Sequence, residues 1–115
     1  MRNEDNIIVR LTLEFAVDIV NYSEKLEADK KFVIAGQLLK AGTSIGANVR
    51  EAQNAESPAD FLHKIKIAAK EAEETEYWLL ICNQIETYPD CMHLEQQLAN
   101  IRNVLGKIIV TCKTK

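Results

Sequence analysis

The sequence predicts an all-α protein, an antiparallel up-down four-helix bundle, on three observations. Apolar residues recur at spacings of three and four along nearly the whole chain, which places them on one face of successive helices. Glycine and proline are scarce, 4 and 2 in 115 residues, too few for the turns of a sandwich or barrel. The punctuation that does occur, "EADKK", "SPAD" and "YPD", cuts the pattern into four pieces joined by short connections, and short connections make successive helices antiparallel neighbours. Residues 1–115 read as one domain, with helices over about 5–27, 31–55, 58–87 and 90–113.

In the first piece Ile8, Leu11, Phe15, Ile19, Tyr22 and Leu26 form one stripe, with Asn3 or Asp5 as the expected cap. "EADKK" then breaks the pattern without glycine or proline, so a merger of the first two helices into one long helix is an alternative. The second piece carries Ile34, Leu38, Ala41, Ile45, Asn48 and Ala52 on one face. Inside it lies "AGTSIGANVREA", where two glycines each cost a helix about 1 kcal/mol against alanine. The stripe nevertheless continues through it. Gly42 and Gly46, one turn apart, make a smooth strip where another helix approaches closely. Ser44 and Asn48 lie beside or within the apolar face, Asn48 as a register-setting polar residue, and Glu51 sits one turn on, able to reach a basic group on a neighbour. A contact of Ser44, Asn48 and Glu51 with a ligand or nucleic acid is the functional alternative.

Ser57, Pro58 and Asp60 read as cap, first-turn proline and acidic capping-box partner of the third helix. That helix carries Phe61, Ile65, Ala68, Ala72, Thr75, Leu79 and Cys82 on one stripe and a second apolar strip, Ile67, Trp78, Ile81 and Ile85, on its far flank. A bundle helix needs only one stripe of about 100°. The second strip packs either within a wide bundle or on another subunit, where Glu71 and Glu74, flanking Trp78, would pair with Lys or Arg. "YPD" ends the helix, since the residue before Pro89 is pushed from the α region, and Asp90 is the expected cap of the fourth. Leu94, Leu98, Ile101, Leu105, Ile108 or Ile109, and Cys112 follow its stripe.

Charge and cysteine usage narrow the function. The net charge of −3 provides no overall field for nucleic acid, though a local basic face remains open. Lys66, Lys70 and His63 fall near one face of the third helix, and Lys40 and Arg50 on outer parts of the second. Such a set would hold phosphates weakly and without reading sequence. Three cysteines without CxxC spacing, no apolar leader segment and no apolar run near the roughly 20 residues that span a bilayer point to a cytoplasmic protein with reduced thiols and no membrane partner.

Enzymatic readings find no support in the residue pattern. Two acid-x-x-His pairs, Asp60/His63 and Asp90/His93, sit at helix starts, where Asp is expected as a cap. In antiparallel neighbours those starts lie at opposite ends of the bundle, so the pairs cannot build the two-metal carboxylate site of some bundles. No phosphate-binding glycine loop occurs, and no nucleophile is placed beside His63 or His93. The expectation is a non-enzyme with no cofactor and no metal.

The stretch between Leu38 and Leu80 resembles the bacterial four-helix bundle family encoded in intervening sequences of 23S ribosomal RNA genes. Ser44, Ile45, Asn48, Glu51 and Ala52, then Asp60-Phe61, then "KEAEETEYWL" carry the resemblance. This chain has Gly46-Ala47 where many members carry proline and serine. The resemblance implies a left-handed up-down bundle that assembles as a ring-like homopentamer. It also implies kinship with the accessory protein of diversity-generating retroelements, a basic pentamer that binds nucleic acid and a reverse transcriptase. The expected partners are therefore further copies of the chain, RNA or DNA, or another protein, in a scaffold or adaptor role.

Overall fold

The computed structural model describes residues 6–114, and among these the secondary structure is four α-helices: α1 (Ile7–Ala28), α2 (Phe32–Ala52), α3 (Pro58–Gln84) and α4 (Met92–Lys113). The molecule is a rod of 47 × 21 × 21 Å. Helix α1 packs on α2 and α4, and α3 packs on the same two, so α1 and α3 lie across one diagonal and α2 and α4 across the other.

The buried positions repeat with a heptad rhythm. In α1 they include Ile8, Thr12, Phe15, Ile19, Tyr22 and Leu26, and in α2 Ala35, Leu38, Gly42, Ile45, Val49 and Ala52, with Val9, Ser23 and Ala41 buried beside these stripes. In α3 they are Ile65, Ala68, Ala72, Thr75, Leu79 and Cys82, and α4 continues the pattern with Leu94, Leu98, Ile101 and Leu105. Steps of alternating three and four average 3.5 residues. An untwisted helix drifts off that spacing by about 20° per heptad, so keeping the seam buried imposes a left-handed supercoil. The two buried threonines do not interrupt the core. Thr12 Oγ1 donates to Ile8 O at 2.7 Å and Thr75 Oγ1 to Glu71 O at 2.7 Å, so each is satisfied within its own helix.

The glycine-bearing stretch of α2 is continuous helix. An added Cβ on Gly42 would lie 2.9 Å from both Cγ1 and Cγ2 of Ile19, and one on Gly46 would lie 3.3 Å from Cβ, O and Oγ1 of Thr12. The closely approaching helix is therefore α1 of the same chain. Both contacts are with α1 core positions two turns apart.

The helix ends are chemically specific, and several differ from expectation. Asn3 and Asp5 lie outside the described residues; the N-cap of α1 is Asn6, whose side chain accepts from Ile8 N at 3.1 Å. Asn6 Nδ2 also donates to Gln53 Oε1 at 3.0 Å, tying the start of α1 to the end of α2. Helices α1 and α2 do not merge. Lys31 N bonds Leu26 O at 2.9 Å and Lys30 N bonds Glu27 O at 2.8 Å, the paired closure of a Schellman motif. Lys30 occupies its left-handed position at φ 63°, where a side chain costs about 1 kcal/mol. Helix α2 ends at Ala52 rather than 55, because Gln53, Asn54 and Ala55 donate three residues back in tight turns.

Ser57 accepts from Asp60 N at 3.0 Å with Pro58 at the first position of α3, and Asp60 Oδ2 accepts in return from Glu56 N. Helix α3 stops at Gln84, not 87, where Ile85 turns to extended backbone. Helix α4 begins at Met92 after Cys91, and no side chain caps it; Asp90 falls one residue too early to cap.

These contacts order the expected outcomes of a thermal-melt series. Gly36→Ala and Gly106→Ala add a Cβ with nothing within 4 Å and should each stabilise by about 0.5–1 kcal/mol, or about 2–4 °C in a domain of this size. Lys30→Gly should gain a similar amount by relieving the left-handed position. Gly42→Ala should lower the melting temperature, because about 1–3 kcal/mol of overpacking against Ile19 exceeds the helical gain.

Candidate interaction surfaces

The supercoiled core uses one stripe of each helix, yet three helices expose a second set of apolar side chains. On α1, Leu13 is 55 % exposed and Val17 52 % exposed, with Val20 continuing the row at i, i+4 and i+7. This ridge borders the α1/α2 cleft, where Leu13, Ala16, Gly46, Ala47 and Arg50 line a cavity of about 160 Å³. The sequence signal for it was available, since Leu13, Val17 and Val20 repeat at helical spacing beside the core stripe. It is the feature that the sequence reading missed.

The second apolar surface lies on the α2/α3 side. Of the residues expected in an interface, Ile67, Glu71, Trp78 and Ile81 are half-buried, while Glu74 and Ile85 are exposed. Trp78 packs edge-on to Tyr77, with ring centroids 5.5 Å apart. It lines a groove of about 370 Å³ together with Lys30, Lys31, Val33, Gln37 and Tyr88. Val33 beside it is 83 % exposed. Trp78 Nε1 is buried and has no acceptor among the described residues.

The residues of the packing and register motif work inside the subunit. Ser44 Oγ donates to Lys40 O at 2.6 Å and Asn48 Nδ2 to Ser44 O at 2.9 Å, both along α2 itself. Glu51 Oε1 pairs with Lys64 Nζ of α3 at 3.0 Å, and this hydrogen bond raises the Lys64 pKa above its ordinary value.

The basic candidates, all exposed, are divided between two regions of the surface. Lys70 lines an α3/α4 cleft of about 230 Å³ with Glu73, Arg102 and Gly106, and Lys66 and His63 precede it on α3. Lys40 and Arg50 belong to α2, Arg50 in the α1/α2 cleft. Arg102, on α4, extends the α3 group but is already paired with Glu76 at 2.6 Å.

Buried titratable groups gather where α1 meets the α3–α4 connection. Tyr22 OH donates to Pro89 O at 2.7 Å, and Cys91 Sγ donates to Leu79 O at 3.6 Å. Burial drives the Tyr22 pKa far above its ordinary value, with Cys82 and Cys91 adding to the shift. Burial likewise raises Cys82 and, helped by the negative charge of Glu95, pushes Cys91 up to about 11. Neutral, buried thiols of this kind are poor nucleophiles and poor metal ligands. Of the acid-x-x-His pairs, Asp60 is engaged as a capping partner and His93 Nε2 stands 3.6 Å from Asp18 Oδ2. Among the described residues no three His, Cys, Asp or Glu side chains come together as a metal site. No helix is long and apolar enough to cross a membrane.

The chain is therefore a heptad-packed four-helix bundle with surplus apolar surface and two small basic groups on its outside. The chain belongs to the 23S rRNA-intervening sequence protein family, whose model matches residues 4–107. A solved structure from Bacteroides thetaiotaomicron, described as a protein of unknown function from the S23 ribosomal protein family, is 44% identical. The similarity covers 89% of this chain and 97% of that one, with a TM-score of 0.84. No curated protein matches.

The thiol shifts have a definite sign. Both cysteines are held neutral in the fold, so the stabilisation they carry is intact below the ordinary thiol pKa of 9.0 and is lost as pH rises toward about 11 for Cys91. The urea midpoint should therefore fall between pH 9 and 11, and should fall less in a Cys82→Ala/Cys91→Ala variant measured alongside.

Proposed function

We propose that the chain is a non-enzymatic, cytoplasmic, homo-oligomeric scaffold, assembled as a ring of five copies as the family resemblance implies. The observation that carries this reading is the pair of apolar surfaces left open by a bundle whose core is already complete. Aliphatic side chains in a row on two sides of a small rod are a liability in a monomer and an asset in an assembly. Light scattering at micromolar concentration should give a mass of about 65 kDa, five times the 13.0 kDa of one chain. A mass of one chain would reject the scaffold.

In this reading the assembly repeats the α3/α4 basic group around its circumference. Lys66 and Lys70, with His63 beside them, contact phosphates of structured RNA or DNA, and weak single contacts add through multivalency. Lys40 and Arg50 are secondary candidates. Retardation of structured ribosomal RNA should appear at about 50 mM salt, fade by about 200 mM, and vanish at low salt in Lys66→Glu/Lys70→Glu.

A second reading, a protein-partner module that binds no nucleic acid, is favoured by the net charge of −3 and by Glu73 and Glu76 interleaved with the basic residues. It predicts no retardation of that RNA even at low salt.

A further inference from the structure

We propose which surfaces meet in that ring: the α1 ridge of one copy, Leu13, Val17 and Val20, lies against the α2/α3 surface of the next, at Val33, Ile67 and Trp78. The inference rests on the oligomeric reading above and specifies which surfaces meet.

The two surfaces differ in shape and charge, and they fit each other better than either fits itself. The ridge is a convex row of branched aliphatics, Leu13 55 % and Val17 52 % exposed. The opposing surface contains the groove of about 370 Å³ beside Trp78. Toward the C-terminal end of α1 the ridge runs into the exposed carboxylates Glu24 and Glu27. The groove is rimmed at that same end of the bundle by Lys30 and Lys31. Between parallel copies, pairing ridge with ridge would oppose carboxylates to carboxylates, and groove with groove would oppose ammonium to ammonium. Ridge in groove brings opposite charges together.

The heights along the bundle also match. Helices α1 and α3 are parallel, being alternate members of an up-down bundle. At 1.5 Å per residue, Val20 and Leu13 lie about 12 and 22 Å from the C-terminal end of α1. Trp78 and Ile67 lie about 9 and 26 Å from the C-terminal end of α3. A second copy therefore reaches the surface by rotation about an axis along the helices, with little axial shift. A heterologous contact without axial rise closes into a ring, whereas one with rise grows a filament.

The test is complementation between two variants, each with one surface spoiled. Val17→Glu damages the ridge and Val33→Glu the groove. Both positions are more than half exposed, so each variant should keep the wild-type helical circular dichroism. If Val17→Glu loses it, Leu13→Glu takes its place. By light scattering each variant alone should be a monomer of 13.0 kDa. The equimolar mixture should give a one-to-one complex of about 26 kDa, twice the mass of one chain, because the ridge of Val33→Glu still meets the groove of Val17→Glu. Wild type that oligomerises while the mixture stays monomeric would overturn this pairing of surfaces alone, as would either variant keeping the wild-type mass. Wild type that is itself monomeric would overturn the oligomeric reading and the contact with it.

Discussion

The close approach of α1 to α2 sets the dimensions of the bundle. At Gly42 the distance from a virtual Cβ to Cγ1 and Cγ2 of Ile19 is 2.9 Å, so a side chain there would collide with Ile19 unless one of them shifted. Two turns along α1, Thr12 stands over Gly46. A pair of contacts spaced by one heptad of α1 and one turn of α2 fixes both the separation and the rotation of the helices. Asn6 bonded to Gln53 holds one end of this hairpin, and the Schellman closure at Lys30 holds the other. With α1 and α2 locked in register, their outward faces are locked as well, and the positions of Leu13, Val17 and Ala47 follow from the buried glycines behind them.

The 3.5-residue rhythm was legible in the sequence because each core stripe consists of large apolar residues at unambiguous spacing. The start of α3 was legible for a different reason. Ser57, Pro58 and Asp60 each act through local backbone chemistry that needs no tertiary partner. The start of α4 was not. Asp90 has the right chemistry for a cap, yet the connection is positioned from a distance, by Tyr22 OH holding Pro89 O, and helix begins only after Cys91 has been buried against Leu79. A contact spanning 67 residues leaves no mark on the local pattern. Asn48 shows the converse limit. Its type and place suggested a bond across helices, but its side chain closes on Ser44 O one turn back, a competition between local and distant partners that spacing alone does not decide.

The candidate surfaces were half legible. The α3 strip stood out because it exceeds what one bundle helix needs, whereas the α1 ridge was hidden beside a core stripe of ordinary width. Only the structure separates them, since Val9 and Leu13, four residues apart, fall on either side of the burial boundary. The basic residues were read as one scattered set. The cross-section divides them, because α2 and α4 stand on opposite corners and Arg50 and Arg102 therefore belong to different faces.

The interior leaves little room for chemistry. Both buried threonines bond within their own helices, and the thiols at the end of α3 and the start of α4 are held neutral by burial. Of the His and Asp residues that could suggest a metal, Asp60 is engaged at a helix cap and His93 pairs with Asp18 at the surface. The surface is asymmetric. Between Met92 and Val110 the exposed positions of α4 are polar or small, among them His93, Gln96, Asn100, Asn103 and Lys107. Most of the exposed large apolar residues lie on α1, α2 and α3, while α4 carries Met92 and Val110 toward its two ends. The rod is thus polar along the middle of one corner and more apolar on the faces beside the opposite corner, α2. The glycines of α2 bear on that surface as well as on the core, since they let α1 approach closely and, in doing so, set the angle at which the α1 ridge faces outward.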